Sequence, residues 1–301
     1  MQPLAPRPQL TLLLANSVLD RLERLRIRAV GRRTSRSRGE HLSGKGGTST
    51  EFCDYRDYVA GDDTRFVDWN IFARLHRPYL KQFHKEEERH VVLLIDASAS
   101  MKFEGKLNLG KQLAAAFGVM GLLNNERVSV YASHQVNGAP ERLPPCRGRG
   151  NLRTVFQFIE SIDGRGDAPL DHATEQLLRR HSGRGVCVIL SDFLTFGDLK
   201  RSFNLLFSAG LEPFGIQILS PREIDPDLAS DLRLVDSETQ ETLDISSSGD
   251  LMNLYQEYRQ GLEKELALLC RRRAGQFLSV SSEVPVETVL FDQLRRQGWL
   301  E

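Results

Sequence analysis

From residue 90 to the C-terminus, short continuous apolar runs alternate with stretches whose apolar residues recur at helical spacing. HVVLLI (90–95) and GVCVIL (185–190) have no polar interruption, as expected of strands buried on both faces of a sheet. Leu109, Leu113, Phe117, Met120 and Leu123 fall on one helical stripe between them. RVSVYAS (127–133) alternates and is followed by Asn137-Gly138, which predicts a hairpin and a short antiparallel strand. Helices are expected near 152–162, 170–181 and 203–209, and a strand over 213–219. Segments 232–235 and 242–245 suggest a hairpin added at a sheet edge. Leu251, Leu254, Tyr255, Tyr258, Leu262, Leu266 and Leu269 mark a long amphipathic helix. A strand near 277–280 and a helix near 286–296 close the chain. Strands alternating with helices predict an α/β fold: an open, mostly parallel sheet with helices on both faces.

The first ninety residues read differently. Val18, Leu22, Leu25 and Val30 suggest a short amphipathic helix, which runs into GRRTSRSRGEHLSGKGGTST (31–50). That stretch reads as a loop or flexible arm. Nine basic residues against two acids lie between positions 21 and 45. The expected organisation is a basic N-terminal helix and arm (1–50), a segment packing on the main domain (51–89) and the α/β domain (90–301).

Composition narrows the function classes. Forty basic and forty acidic residues cancel across 301 positions, so the chain as a whole is not a polyelectrolyte binder. Cys53, Cys146, Cys187 and Cys270 form no CxxC pair, which points to buried thiols in a cytoplasmic protein. No apolar run approaches the ~20 residues needed to span a bilayer. Gly39, Gly44 and Lys45 satisfy the opening of a phosphate loop, but Gly46 replaces the hydroxyl residue, and neither a strand nor a helix flanks the segment. The seven histidines show no paired metal spacing.

The chemistry concentrates where two apolar strands end. HVVLLI runs into Asp96-Ala97-Ser98-Ala99-Ser100, and GVCVIL into Ser191-Asp192. If the strands are neighbours, both turns share the carboxyl edge of the sheet, where open α/β sheets bind ligands. Asp96, Ser98 and Ser100 alternate, so one loop can aim three oxygens at a hard cation such as magnesium. The serines could equally cap the helix that follows.

Asp96 to Met101 after an apolar strand resembles the metal-ion-dependent adhesion site of von Willebrand factor A domains. Gly166-Asp167-Ala168-Pro169-Leu170 is similar to that fold's second loop, and Ser191-Asp192 to its third. Upstream, Tyr55-Arg56-Asp57-Tyr58, Gly61-Asp62-Asp63, Arg65 and Asp68-Trp69 resemble the signature of the bacterial family catalogued as domain of unknown function 58. The likeness runs from about Arg33 to the C-terminus. It implies a von Willebrand factor A-like domain in which Ser98 and Ser100 bind Mg2+ directly, with Asp96 and Asp192 binding directly or through water. Ala168 stands where the usual threonine ligand would be, so either Asp167 or water substitutes, or metal binding is weakened or lost and the loop serves as a hydrogen-bonding surface without a cation.

Arg56, Asp57, Asp62, Arg65, Asp68 and Trp69 belong to a segment that reads as a charge-paired staple, as a partner-binding surface or, through its acids, as a catalytic carboxylate pair. The resemblance further implies a non-catalytic adaptor that docks an acidic residue of a partner, with a MoxR-type AAA+ ATPase as that partner. The competing classes are a nucleic-acid binder using the arginine-rich arm, whose affinity would fall steeply with salt, and a metal-assisted hydrolase.

Overall fold

The computed structural model describes residues 9–28, 52–83, 88–136, 139–164, 169–195, 197–226, 232–235, 242–245 and 249–301. In chain order the elements are α1 (Asn16–Leu22), β1 (Phe52–Asp57), α2 (Trp69–Leu75), β2 (Tyr79–Phe83), β3 (His90–Ile95), α3 (Lys106–Leu123), β4 (Arg127–Val136), β5 (Ala139–Cys146), α4 (Leu152–Ser161), α5 (Leu170–Leu178), β6 (Gly185–Ser191), α6 (Leu199–Ser208), β7 (Leu211–Leu219), α7 (Pro221–Ile224), β8 (Leu232–Val235), β9 (Thr242–Ile245), α8 (Gly249–Arg271), β10 (Gln276–Ser281) and α9 (Val286–Thr288). They fall into two compact units, residues 32–87 and the remainder.

The larger unit is built on a six-stranded sheet of order β10-β7-β6-β3-β4-β5. Every pairing is parallel except β4 with β5. β5 carries Pro140, Pro144 and Pro145 and occupies an edge, where missing N–H donors are tolerated. The uninterrupted apolar runs have the expected cause. Val91, Leu93 and Ile95 of β3 join one core cluster with α1, α3 and α4, while Val92 and Leu94 face the opposite cluster with α5, α6 and α8. Helices thus cover both faces.

Two expectations are revised. The hairpin of β8 and β9 forms its own two-stranded sheet, and β10 takes the outer edge of the main sheet. The N-terminal helix is no separate segment: Leu14, Val18, Leu19, Leu22, Leu25 and Ile27 enter the main core. Arg26 and Glu301 exchange backbone hydrogen bonds of 2.8 and 3.1 Å, with Ile27 bridging to Leu300. Burial of that apolar stripe outweighs the solvation of the arginines beside it. Residues 29–51, with the phosphate-loop look-alike, and Asn137-Gly138 lie outside the described residues.

The smaller unit pairs β1 with β2 antiparallel and inserts α2 between them in sequence. Asp68 caps α2 by accepting from the backbone N–H groups of Asn70 and Ile71. Gly61 sits at φ 108°, a conformation that disfavours any side chain.

The strand order sets the site. The chain leaves β3 toward β4 and β5, then crosses back to lay β6 on the other flank of β3. This reversal makes the carboxyl ends of β3 and β6 the topological switch point, the position at which open α/β sheets bind ligands.

Candidate functional site

Asp96 directly follows β3, and register places its neighbours. Ile95 pairs with Leu190 of β6 and Ala132 of β4, so the next residues, Ser191 and Ser133, flank Asp96. Ser191 Oγ donates to Asp96 Oδ2 at 2.5 Å and Ser133 Oγ donates to Oδ1 at 3.2 Å. The Ser98 backbone N–H adds a third bond to Oδ1 at 3.0 Å. The two strands that flank β3 therefore each supply a hydroxyl to one buried carboxylate. Every donor is neutral. Burial first, and then the charge of Asp192, push the Asp96 carboxyl above the ordinary carboxylate range, against the pull of these hydrogen bonds.

The loop after Asp96 turns back over it. Ser98 and Ser100 bring their Oγ atoms to 2.9 Å from each other. Ser98 is buried and Ser100 is half-buried. Gly164 borders the same loop, because a Cβ there would meet Ser98 O at 3.0 Å. Lys102 pairs with Asp163 at 3.0 Å across the same junction. Asp167 and Ala168 lie outside the described residues.

The loop after β6 places Asp192. Its Oδ1 accepts the Leu194 backbone N–H at 3.0 Å, and its backbone carbonyl accepts Gln217 Nε2 at 3.0 Å. Phe193 between them is left-handed at φ 57°, a conformation costing roughly 1–2 kcal/mol for an ordinary residue. Its ring is buried near Phe203 and Phe277, which offsets that strain. Phe103 and Leu194, from the loops after β3 and β6, are exposed apolar residues.

A group that the sequence reading passed over completes the centre. Lys106, fully buried at the start of α3, donates to Asp192 Oδ2 at 2.8 Å and Glu223 Oε1 at 2.5 Å. Burial disfavours its charge, but the two acids more than offset this and its pKa is raised. Glu223 is anchored separately by a capping box with Ser220. The signal was present: Lys106 shares the helical stripe of Leu109 and Leu113, a lone cation where the pattern calls for an apolar residue. Ser133 was legible as the polar end of an alternating strand. Its partner could not be read without register.

The cation chemistry can be tested against this donor set. Adjacent oxygen ligands on an octahedral ion with bonds of about 2.1 Å lie about 3.0 Å apart, which matches the serine pair. Asp96, buried among neutral donors, is the anion such an ion would offset. No three His, Cys, Asp or Glu side chains converge on a metal position among the described residues. The residues present would suit a hydroxyl-and-water shell, in which Ser98 and Ser100 would be the direct ligands and Asp96 would act through water.

The smaller unit spends most of its charged signature internally. Arg56 grips Asp62 with two bonds of 2.8 and 2.6 Å, and Asp62 also accepts the Val59 N–H. Asp68 accepts from Tyr55 Oη at 3.2 Å and pairs with Lys81 at 3.1 Å. Lys81 foremost, then the Ile71 N–H, lowers its pKa. Arg65 closes onto Asp63, holding that carboxyl down to about 2. Asp57 and Trp69 are exposed, with Trp69 edge-on to Phe72 at 6.0 Å.

The described part of the basic N-terminal stretch is likewise engaged in part. The Arg21 guanidinium lies 3.4 Å from the centre of the Phe291 ring, and Glu23 binds Arg149.

Fold and site together define an open α/β domain with a hydroxyl-and-acid loop centre at the carboxyl edge of its parallel sheet. The chain belongs to the family described as "Protein of unknown function DUF58", whose model matches residues 54–265. It is 28% identical over 271 residues to the uncharacterized protein Rv1480 of Mycobacterium tuberculosis (strain ATCC 25618 / H37Rv), covering 87% of this chain and 84% of that protein. Among solved structures it is similar to an aerotolerance-related membrane protein from Bacteroides fragilis NCTC 9343, at 14% identity and TM-score 0.42 over 64% of this chain and 91% of that one. It is also similar to a von Willebrand factor type A structure from Catenulispora acidiphila, at 14% identity and TM-score 0.41 over 72% and 43%. No helix among the described residues is long and apolar enough to cross a membrane.

Proposed function

We propose that this chain is a non-catalytic docking module that holds an acidic side chain of a partner protein at Ser98 and Ser100. The observation that carries the reading is the meeting of three adjacent strands at Asp96, which follows β3 and accepts from Ser191 at the end of β6 and Ser133 within β4, with the Ser98 and Ser100 hydroxyls 2.9 Å apart in the same loop. A Mg2+ ion bound there supplies a positive centre for the partner's carboxylate. Ser98 and Ser100 would hold that ion, and Asp96 would act on it through water. Ser133 and Ser191 fix the Asp96 carboxylate. The exposed Phe103 and Leu194 give the partner apolar contact.

Catalysis fits this centre poorly. The described acids are already engaged: Asp96 accepts three hydrogen bonds, and Asp192 is held by Lys106 and the Leu194 N–H. Neither is presented as a free base to a water. The partner, on the family resemblance, is a MoxR-type AAA+ ATPase, which would supply the energy of ATP hydrolysis for maturing a protein complex.

Affinity purification of the full chain from native lysate, with and without Mg2+, tests the reading. Wild type retains an ATPase partner only with Mg2+, and Ser98→Ala/Ser100→Ala loses it. Identical captures by both proteins in both buffers contradict the proposal.

A further inference from the structure

Two features make Lys106 an improbable place for a cation. It is fully buried, and it stands at the N-terminal end of α3, where the helix dipole disfavours positive charge. Both costs are met by Asp192 at 2.8 Å and Glu223 at 2.5 Å. Glu223 is itself fixed: Oε2 accepts the Ser220 N–H at 2.7 Å, and its backbone carbonyl accepts Tyr255 Oη at 2.5 Å from α8. Lys106 is thus anchored on one side and pulls on Asp192 from the other. The second Asp192 oxygen is taken by the Leu194 N–H.

We infer that Lys106 is a tether that keeps Asp192 out of the coordination sphere of a divalent cation at Ser98 and Ser100. The inference rests on the docking reading and deepens it. A carboxylate bound directly to the ion would cancel part of its charge. With Asp192 held on the lysine, the ion keeps neutral hydroxyl and water ligands and its full attraction for an incoming carboxylate. Lys106 touches neither ion nor partner, so it is a positioning residue. Its removal has two linked effects: Asp192 is freed to bind the ion, and the ion's hold on an outside acid weakens.

Mn2+ serves as the probe, on the purified full chain. In Mn2+-soaked wild-type crystals, the anomalous peak lies against Ser98 and Ser100 with no Asp192 oxygen at ligand distance. An Asp192 oxygen bound to the peak overturns the tether, and this reading needs no variant. In calorimetric titration, Lys106→Met binds Mn2+ about tenfold more tightly than wild type, a coupling of the size that neighbouring groups show. The charge-conserving double substitution Lys106→Met/Asp192→Asn returns to within about threefold of wild type, because Asp192 is not a wild-type ligand. A tenfold or greater loss in the double substitution, or no gain in a folded Lys106→Met, contradicts the tether and leaves the docking site standing. A wild type that binds no Mn2+ removes both.

Discussion

Ser133 shows how one hydroxyl can serve two masters at the centre of the site. Its Oγ accepts the Ala97 N–H at 2.9 Å and donates to Asp96 Oδ1 at 3.2 Å, with 1% of the residue exposed. Ser133→Ala leaves a buried N–H without an acceptor, which costs about 1–3 kcal/mol. Urea denaturation should show that loss, and a change within about 0.5 kcal/mol would contradict this role. His90 and His181 make a second pair with a readable consequence. Their rings meet edge-on at 5.0 Å, and burial lowers both pKa values from 6.5, with His181 adding to the effect on His90. The unfolded chain then binds more protons than the folded one as pH falls below 6.5. Stability is therefore present above that value and lost as pH drops toward the folded pKa values. Denaturation midpoints should decline between roughly pH 7 and pH 5, and His181→Phe should flatten the decline. An unchanged slope in that variant would count against the pair.

At the scale of elements, α3 lies against the sheet because its sequence is thin where the strands approach. A Cβ on Gly121 would stand 2.7 Å from Val128 Cγ2 and 3.2 Å from Val91 Cγ2. Gly121→Ala should cost about 1–3 kcal/mol by overpacking, since both valines belong to buried strands. A variant as stable as wild type in urea would mean that helix and sheet part more easily than their burial implies. The strands were legible for the same reason that they are buried: runs such as VVLLI admit only a doubly covered position. β4 and β5 were legible from alternation and from the Asn137-Gly138 dipeptide in the sequence. The pairing of β8 with β9 away from the main sheet was not, because a hairpin's own register carries no information about its neighbours. The packing of α1 was half-legible. Its apolar stripe was visible, but the arginines around it drew attention to solvent.

Across the whole molecule, the site is a product of strand order rather than of any one motif. The Asp96-x-Ser98-x-Ser100 spacing and the Ser191-Asp192 turn were visible in the sequence, and the pairing of β3 with β6 joins them through the Ser191–Asp96 hydrogen bond. Lys106, Glu223 and Ser133 come from three other segments, and only the fold brings them in. The upstream signature was legible as a charge network. The geometry assigns Arg56, Asp62, Arg65 and Asp68 to bracing its turns and leaves Asp57 and Trp69 outward.

The central claim is that a partner's acid is held at the serine pair through a cation. The most direct measurement is biolayer interferometry of the full chain against a purified MoxR-type ATPase, in Mg2+ and then in EDTA. The account predicts binding in Mg2+ that weakens by about tenfold or more both in EDTA and in Ser98→Ala/Ser100→Ala, the loss expected when a central contact is removed. Equal affinity for wild type and the serine variant, unchanged by EDTA, would contradict it.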